Sequence, residues 1–337
     1  MTKKVVTLGE IMLRLSAPGY AKIIQSDSFL ATYGGGEANV AISLAQLGIP
    51  AAHVTRFPAN ELGQSATNLL RRYGVSTAHI AYGGDRIGIY FLETGALSRP
   101  SKVIYDRSDS SFAGITAETI DWDQVFEGVS WFHWTGITPA ISQGAADCCK
   151  KAVAIANQKG ITVSADINYR KNLWQYGKSV REIMPGLIEG CDMIVAGKND
   201  IKDILGIKVK GESDEAYKDI FSQVMQRFPK VKKIVNTHRG SISASYNTLS
   251  GHLFDGTQLL STKTYDIQPI VDRIGGGDAF MAGVVYGQLT YGDDQKSLDF
   301  GVAASVLKHS VEGDANLVSA AEVENLMKGD TSGKLVR

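Results

Sequence analysis

The chain has 337 residues, and 35 Lys and Arg balance 35 Asp and Glu to a formal net charge of zero. That balance gives no global electrostatic support for binding nucleic acid or another polyanion. With 44% hydrophobic residues there is ample core material for two domains or one large α/β domain with an appendage, and three cysteines without a CxxC pair exclude a disulfide framework or a cysteine-only zinc site.

The N-terminal segment starts basic and turns apolar, but Gly9, Glu10 and Arg14 interrupt it, so it reads as a buried strand over 5–9 rather than a secretion signal. No run of 18 apolar residues occurs, so no membrane span is expected, and the unpaired cysteines point to the cytoplasm. Val40, Ala41, Leu44 and Leu47 recur at helical spacing over 37–47 before a stop at Gly48. A strand over 52–57 follows, then a helix over 61–73 closed by Gly74. The alternation returns with a helix at 142–159 ending at Gly160, strands at 161–166, 193–196 and 231–237, and helices at 278–291 and 295–309. Repeated βα units predict a three-layer α/β architecture with a mostly parallel sheet covered on both faces. Segments 11–33 and 86–107 break the rhythm; the second alternates β-type residues around a Gly/Ser/Pro turn and predicts a hairpin, forming a small lid. These are expected as insertions in one domain over 1–330, with 331–337 as a frayed tail.

The six histidines, His53, His79, His133, His238, His252 and His309, are scattered without HxxxH spacing, and no basic, aromatic-interleaved patch suggests nucleic acid. The informative segment is 271–283, VDRIGGGDAFMAG. Gly275, Gly276 and Gly277 at a helix start let successive N–H groups converge on one point, an anion site reinforced by the helix dipole. Asp278 at its mouth would repel a phosphate unless it takes a proton from an attacking hydroxyl. The plainer alternative is a tight turn with Asp278 as helix cap. No Walker A loop is present, and GGGEAN at 34–39 is no dinucleotide fingerprint, which disfavours a Rossmann-type oxidoreductase.

These residues resemble the ribokinase-like (PfkB) sugar kinases. Asp272, Gly275, Gly276, Gly277 and Asp278 match the C-terminal signature, and Gly34, Gly35, Asn39, Ala41 and Gly48 match the N-terminal one. Arg273 and Ile274 replace a common Thr-Thr, Glu37 replaces a small residue, and Phe57-Pro58 stands where relatives have Val-Gly. With FHWTGITPAIS (132–142), ADINYRKNLW (165–174), THRGSISAS (237–245) and LKHSVEGDANLVS (307–319), these departures resemble the 2-keto-3-deoxygluconate kinase branch.

The resemblance implies a ribokinase-like fold and transfer of the ATP γ-phosphoryl group to the C6 hydroxyl of that sugar acid. Asp278 would be the general base, and the N–H groups of Gly275, Gly276, Gly277 and Asp278 the anion hole. Gly34, Gly35, Asn39, Tyr90 and Tyr105 would meet the sugar, although Asn39 also suits a helix cap and the tyrosines suit hairpin packing. A substrate carboxylate needs cations, for which Arg107 and Arg170 are the candidates beside their reading as surface charges. Thr237, Arg239 and Gly240 resemble the nucleotide-binding turn, with Gly275 and Gly277 on the phosphates. Ala303, Lys308 and Asn316 fall near the expected adenine region or simply pack. Of the family's N-x-x-E motif, Gly197 stands at the Asn, leaving Asp200 to reach Mg²⁺ through water, or to serve as a first-turn helix acid. ATP and Mg²⁺ are thus expected, with a monovalent cation as a further candidate, and pairing of two lids predicts a homodimer or a dimer of dimers. A neutral-sugar kinase and a non-catalytic sugar-binding regulator are the competing readings.

Overall fold

The computed structural model describes residues 3–208, 211 and 213–330; the tail expected at 331–337 lies outside them. The larger sheet runs, in spatial order, Leu259–Ser261, Asn247–Phe254, Lys233–Ser241, Met193–Val195, Thr162–Asp166, Val129–Thr135, Lys4–Leu8, Ala51–Phe57 and Ile80–Tyr82. Every neighbouring pair from Lys233–Ser241 to Ile80–Tyr82 is parallel.

Alternation within each strand divides the core between the two faces of this sheet. On one face Val6, Leu8, Val54, Phe132, Trp134 and Ile234 join residues of the helices Gln143–Gln158, Val180–Ile188 and Asp214–Arg227. On the other, Val5, Phe57, Trp131 and Val235 join Gly36–Gln46, Glu61–Arg72, Gly276–Thr290, Asp294–Lys308 and Ala320–Met327. A parallel sheet buries both faces, and here both are covered, as the βα rhythm implies. Helix starts are fixed where the sequence supplies caps: Asn60 accepts the N–H of Leu62 at 3.1 Å, and Ser142 accepts that of Ala145 at 3.1 Å. Helices Gly276–Thr290 and Asp294–Lys308 pack almost backbone to backbone, since a Cβ on Gly283 would stand 2.7 Å from the Gly301 Cα.

The four-stranded second sheet has the order Leu30–Gly34, Met12–Ser16, Ile89–Glu93 and Lys102–Asp106. It is assembled from the two segments that broke the βα pattern. The expected hairpin is Ile89–Glu93 with Lys102–Asp106, which sets Tyr90 opposite Tyr105. Lys102–Asp106 is exposed along its whole length.

The structure adds elements that the sequence reading did not assign. Val129–Thr135 is a central strand; its buried His133 interrupts the apolar run, with Nδ1 2.9 Å from Ser164 Oγ on the neighbouring strand Thr162–Asp166. The sheet edge is extended antiparallel by Asn247–Phe254, which pairs with both Leu259–Ser261 and Tyr265–Ile267. Val180–Ile188 forms a helix despite Pro185 inside it, and Asp214–Arg227 buries Tyr217, Ile220, Phe221 and Val224.

Candidate active site

A cleft of about 560 Å³ opens between the carboxyl ends of the parallel strands and the smaller sheet. Asp166, Val195 and Thr237 reach it from neighbouring strands, where open α/β sheets place their ligands. Met12, Tyr90, Val103 and Tyr105 form the opposite wall.

At its floor begins the helix Gly276–Thr290. Its cap is Gly275, at φ +82°, rather than Asp278. A Cβ at Gly275 would lie 1.8 Å from the carbonyl oxygen of Asp314, so glycine is required both for the left-handed turn and for the close approach. The N–H groups of Gly276, Gly277 and Asp278 have no acceptor within the helix and stand at the positive end of its dipole. Nothing would meet a Cβ on Gly277 within 4 Å, which leaves the loop open on the cleft side. Arg239 approaches this turn from the strand Lys233–Ser241, its Nη2 lying 3.4 Å from where a Cβ on Gly276 would be, and Arg273 also lines the cleft.

Asp278 lies in the first helical turn, and its Oδ2 accepts Asn39 Nδ2 at 2.7 Å. Burial, with the carboxylates of Asp314 and Glu37, pushes its pKa up to about 7, against the pull of Asn39 and Arg170. Asn39 thus spends its amide on the acid; the helix cap is Gly35, whose N–H lies 3.5 Å from Asn39 Oδ1. Glu37 is fully buried, and its Oε1 accepts Thr135 N–H at 3.1 Å, Thr135 Oγ1 at 2.8 Å and Thr138 Oγ1 at 2.7 Å. This acid in place of a small residue pins the turn that leaves the strand Val129–Thr135.

Asp166 and Asp200 face the same space. Burial and the neighbouring acids Asp200 and Asp278 raise Asp166 to about 8; burial also raises Asp200, although it accepts the N–H groups of Gly197 at 3.1 Å and Tyr169 at 3.3 Å. Among the described residues no cluster of three or more His, Cys, Asp or Glu is built to hold a metal ion. Two hard oxygen donors that repel each other do fit Mg²⁺, which prefers carboxylate, phosphate and water.

The structure brings together Gly34, Gly35, Asn39, Tyr90, Tyr105, Arg107, Arg170, Asp200, Thr237, Arg239 and the 275–278 turn. Arg170 is exposed just beyond the strand Thr162–Asp166, its charge turned toward the cleft. Arg107 is not the free fork that the sequence suggested, because its Nη2 donates to the buried carboxylate of Glu10, which Ser110 also engages. Tyr90 directs its hydroxyl to Asp314. Four expected ATP contacts are absent from the lining. Gly240 is exposed on its strand opposite Thr248. Ala303 is fully buried between helices, Lys308 is buried with its Nζ donating to the carbonyl of Val311 at 3.1 Å, and Asn316 is buried with its Oδ1 facing Val318 N–H at 3.4 Å. Sequence reasoning missed Glu10, Asp166, Asn236 and Asp314, all of which line the cleft. The buried Oδ1 of Asn236 has no partner, and Asp166 was legible as the acid closing a strand.

A three-layer α/β body, a small second sheet and a glycine-opened helix start in the cleft between them make a ribokinase-like fold. The chain belongs to the pfkB family of carbohydrate kinases, whose pattern matches residues 2–321. It is 32% identical over 335 residues to the 2-dehydro-3-deoxygalactonokinase of Haloferax volcanii, covering 99% of both chains. The crystal structure of 2-dehydro-3-deoxygluconokinase from Thermotoga maritima superposes with a TM-score of 0.93 at 45% identity, covering 97% of this chain and 100% of that one. A fructokinase with bound ATP from Xylella fastidiosa shares the fold, with a TM-score of 0.81 at 19% identity over 98% and 100% of the two chains. The protein is therefore a sugar kinase.

Gly275→Ala should lower stability by at least about 2 kcal/mol through the left-handed turn and the carbonyl clash. Equilibrium urea denaturation checks this, and an unchanged midpoint would contradict the geometry.

Proposed function

We propose that the chain transfers the ATP γ-phosphoryl group to the C6 hydroxyl of 2-keto-3-deoxygluconate. The observation that carries this reading is the placement of Asp278, with its pKa near neutrality, at the mouth of a glycine-opened helix in a cleft that also holds Arg170. Asp278 takes the proton from the C6 hydroxyl as that oxygen bonds to the γ-phosphorus and the bond to the ADP oxygen breaks. The N–H groups of Gly276, Gly277 and Asp278, with Arg239 and Arg273, meet the charge on the transferred group. Asp166 and Asp200 would hold Mg²⁺, which when bound neutralises phosphate charge. Arg170 offers a planar fork to the sugar's carboxylate, while Glu10 holds Arg107 at the lid base beside Tyr105. Relatives named for gluconate- and galactonate-derived acids support the keto-deoxy acid class. Among the described residues no helix is long and apolar enough to cross a membrane, and three buried free cysteines suit a reducing cytoplasm.

The lid carries its own requirement. Val103, Ile104 and Tyr105 on its edge strand, with Leu30 on the other edge, are exposed. An open apolar edge calls for a partner, and a second copy supplies an identical one, so the protein pairs lid to lid as a homodimer.

A coupled kinase assay across keto-deoxy acids and neutral hexoses should show turnover with the acids, and Asp278→Asn should lower it roughly 10²–10⁴-fold with sugar binding retained. Preference for a neutral hexose would overturn the substrate assignment, and undiminished turnover of the variant would remove the base. Because Asp278 must be ionised to act, kcat/KM should rise as pH increases through about 7. Asn39→Ala removes a hydrogen bond that favours the carboxylate and should shift this acid limb to higher pH by roughly one unit; a shift in the other direction would contradict the role of Asn39. Sedimentation at micromolar concentration should give a dimer, and Ile104→Lys a monomer; a monomeric wild type would refute the lid pairing.

A further inference from the structure

Building on the kinase reading above, we infer that Arg14 is a positioning residue that couples the lid to the anion hole. It sits on the inner lid strand Met12–Ser16, outside the lining of the cleft, with a side chain 6% exposed. Its guanidinium reaches across to the body of the protein. Nη1 donates to Asp314 Oδ1 at 2.6 Å, Nη2 to Asp272 Oδ2 at 2.6 Å, and Nε to Ser16 Oγ at 2.7 Å.

Both carboxylates belong to the anion-hole loop or press against it. Asp272 opens that loop, and its Oδ1 accepts the N–H of Ile274 at 3.0 Å; its Oδ2 also accepts the N–H of Gly313 at 3.1 Å. Asp314 gives its second oxygen to the hydroxyl of Tyr90, from the other inner lid strand. Its backbone carbonyl packs against Gly275, and its carboxylate packs against Gly34 on a lid edge, where a Cβ would lie 1.9 Å from Oδ2. Three lid strands therefore converge on the residue that abuts the pivot of the anion hole.

Lys308 completes the cluster from below, with Nζ 3.4 Å from the carbonyl of Asp272 and 3.1 Å from that of Val311. Arg14 and Lys308 balance Asp272 and Asp314, all four buried. Such a buried ionic cluster contributes little net stability, because desolvation offsets the Coulomb gain; its best-attested use is to fix one arrangement over others. A rigid fork held by two carboxylates strains both bonds when the lid shifts, so loop geometry and lid position change together. A sugar that closes the lid then completes the nest that receives the phosphoryl group, and the coupling is reciprocal.

Isothermal titration calorimetry with a keto-deoxy acid and a non-hydrolysable ATP analogue tests this, using each ligand alone and in the presence of the other. In the wild type each ligand should tighten the other on the order of tenfold. Arg14→Lys keeps the charge but loses the fork. Arg14→Gln removes the cation and leaves Asp272 and Asp314 with their backbone and side-chain acceptor roles unchanged. Both should bind each ligand alone about as the wild type does, with the mutual tightening reduced to about twofold or less. Folded variants with the wild-type coupling factor would overturn the inference, as would a wild type that binds both ligands independently. A purely structural role predicts a lower melting temperature and weaker binding of both ligands with coupling intact, which also overturns it. Should the wild type bind a neutral hexose and not the acid, the substrate assignment fails, and the same coupling is then measured with the hexose.

Discussion

The cleft is organised around one carboxyl group kept largely from water. Asp278 sits where burial and the acids Asp314 and Glu37 oppose its ionisation, while one amide, Asn39 Nδ2, donates to it at 2.7 Å. The balance lies close to neutrality. In the proposed role of Asp278 as base this balance matters, because a general base works best with its pKa near the working pH. The partners come from different parts of the fold: Asn39 from the helix Gly36–Gln46, Asp278 from Gly276–Thr290, and Glu37 from the same turn as Asn39, anchored to Thr135 and Thr138.

The loop before the acid supplies the complementary field. A left-handed Gly275 directs the first N–H groups of the helix at one point, and Arg239 and Arg273 border the same space. Positive donors thus gather beside carboxylates, an arrangement that suits a phosphate arriving with its cation and a hydroxyl approaching from the lid side. The lid sheet contributes Tyr90 and Tyr105 above this point and leaves an apolar outer edge.

The sequence carried the parts of this design that are local. Glycine stops after 47, 73 and 159 marked the βα units, and the GGGD run marked the helix start with its acid. Pairings made by topology were not visible. Arg14 and Asp314 are 300 positions apart, and Arg107 finds Glu10 across 97 positions, so an arginine expected as a free carboxylate fork is held by an internal acid. Lys308 and Asn316 have residue types that suit a nucleotide pocket, yet the helix Asp294–Lys308 and the loop after it turn both into the packing. The antiparallel edge Asn247–Phe254 escaped notice because Gly251 and polar residues break its apolar pattern, although alternate residues are buried.

The direct measurement is of Asp278 itself. With ¹³C-labelled aspartate, the carboxyl resonance that disappears in the Asp278→Asn protein can be followed through a pH titration. A midpoint close to 7 is the expected result. A midpoint in the ordinary aspartate range of about 4 would show a solvated surface acid and contradict the account.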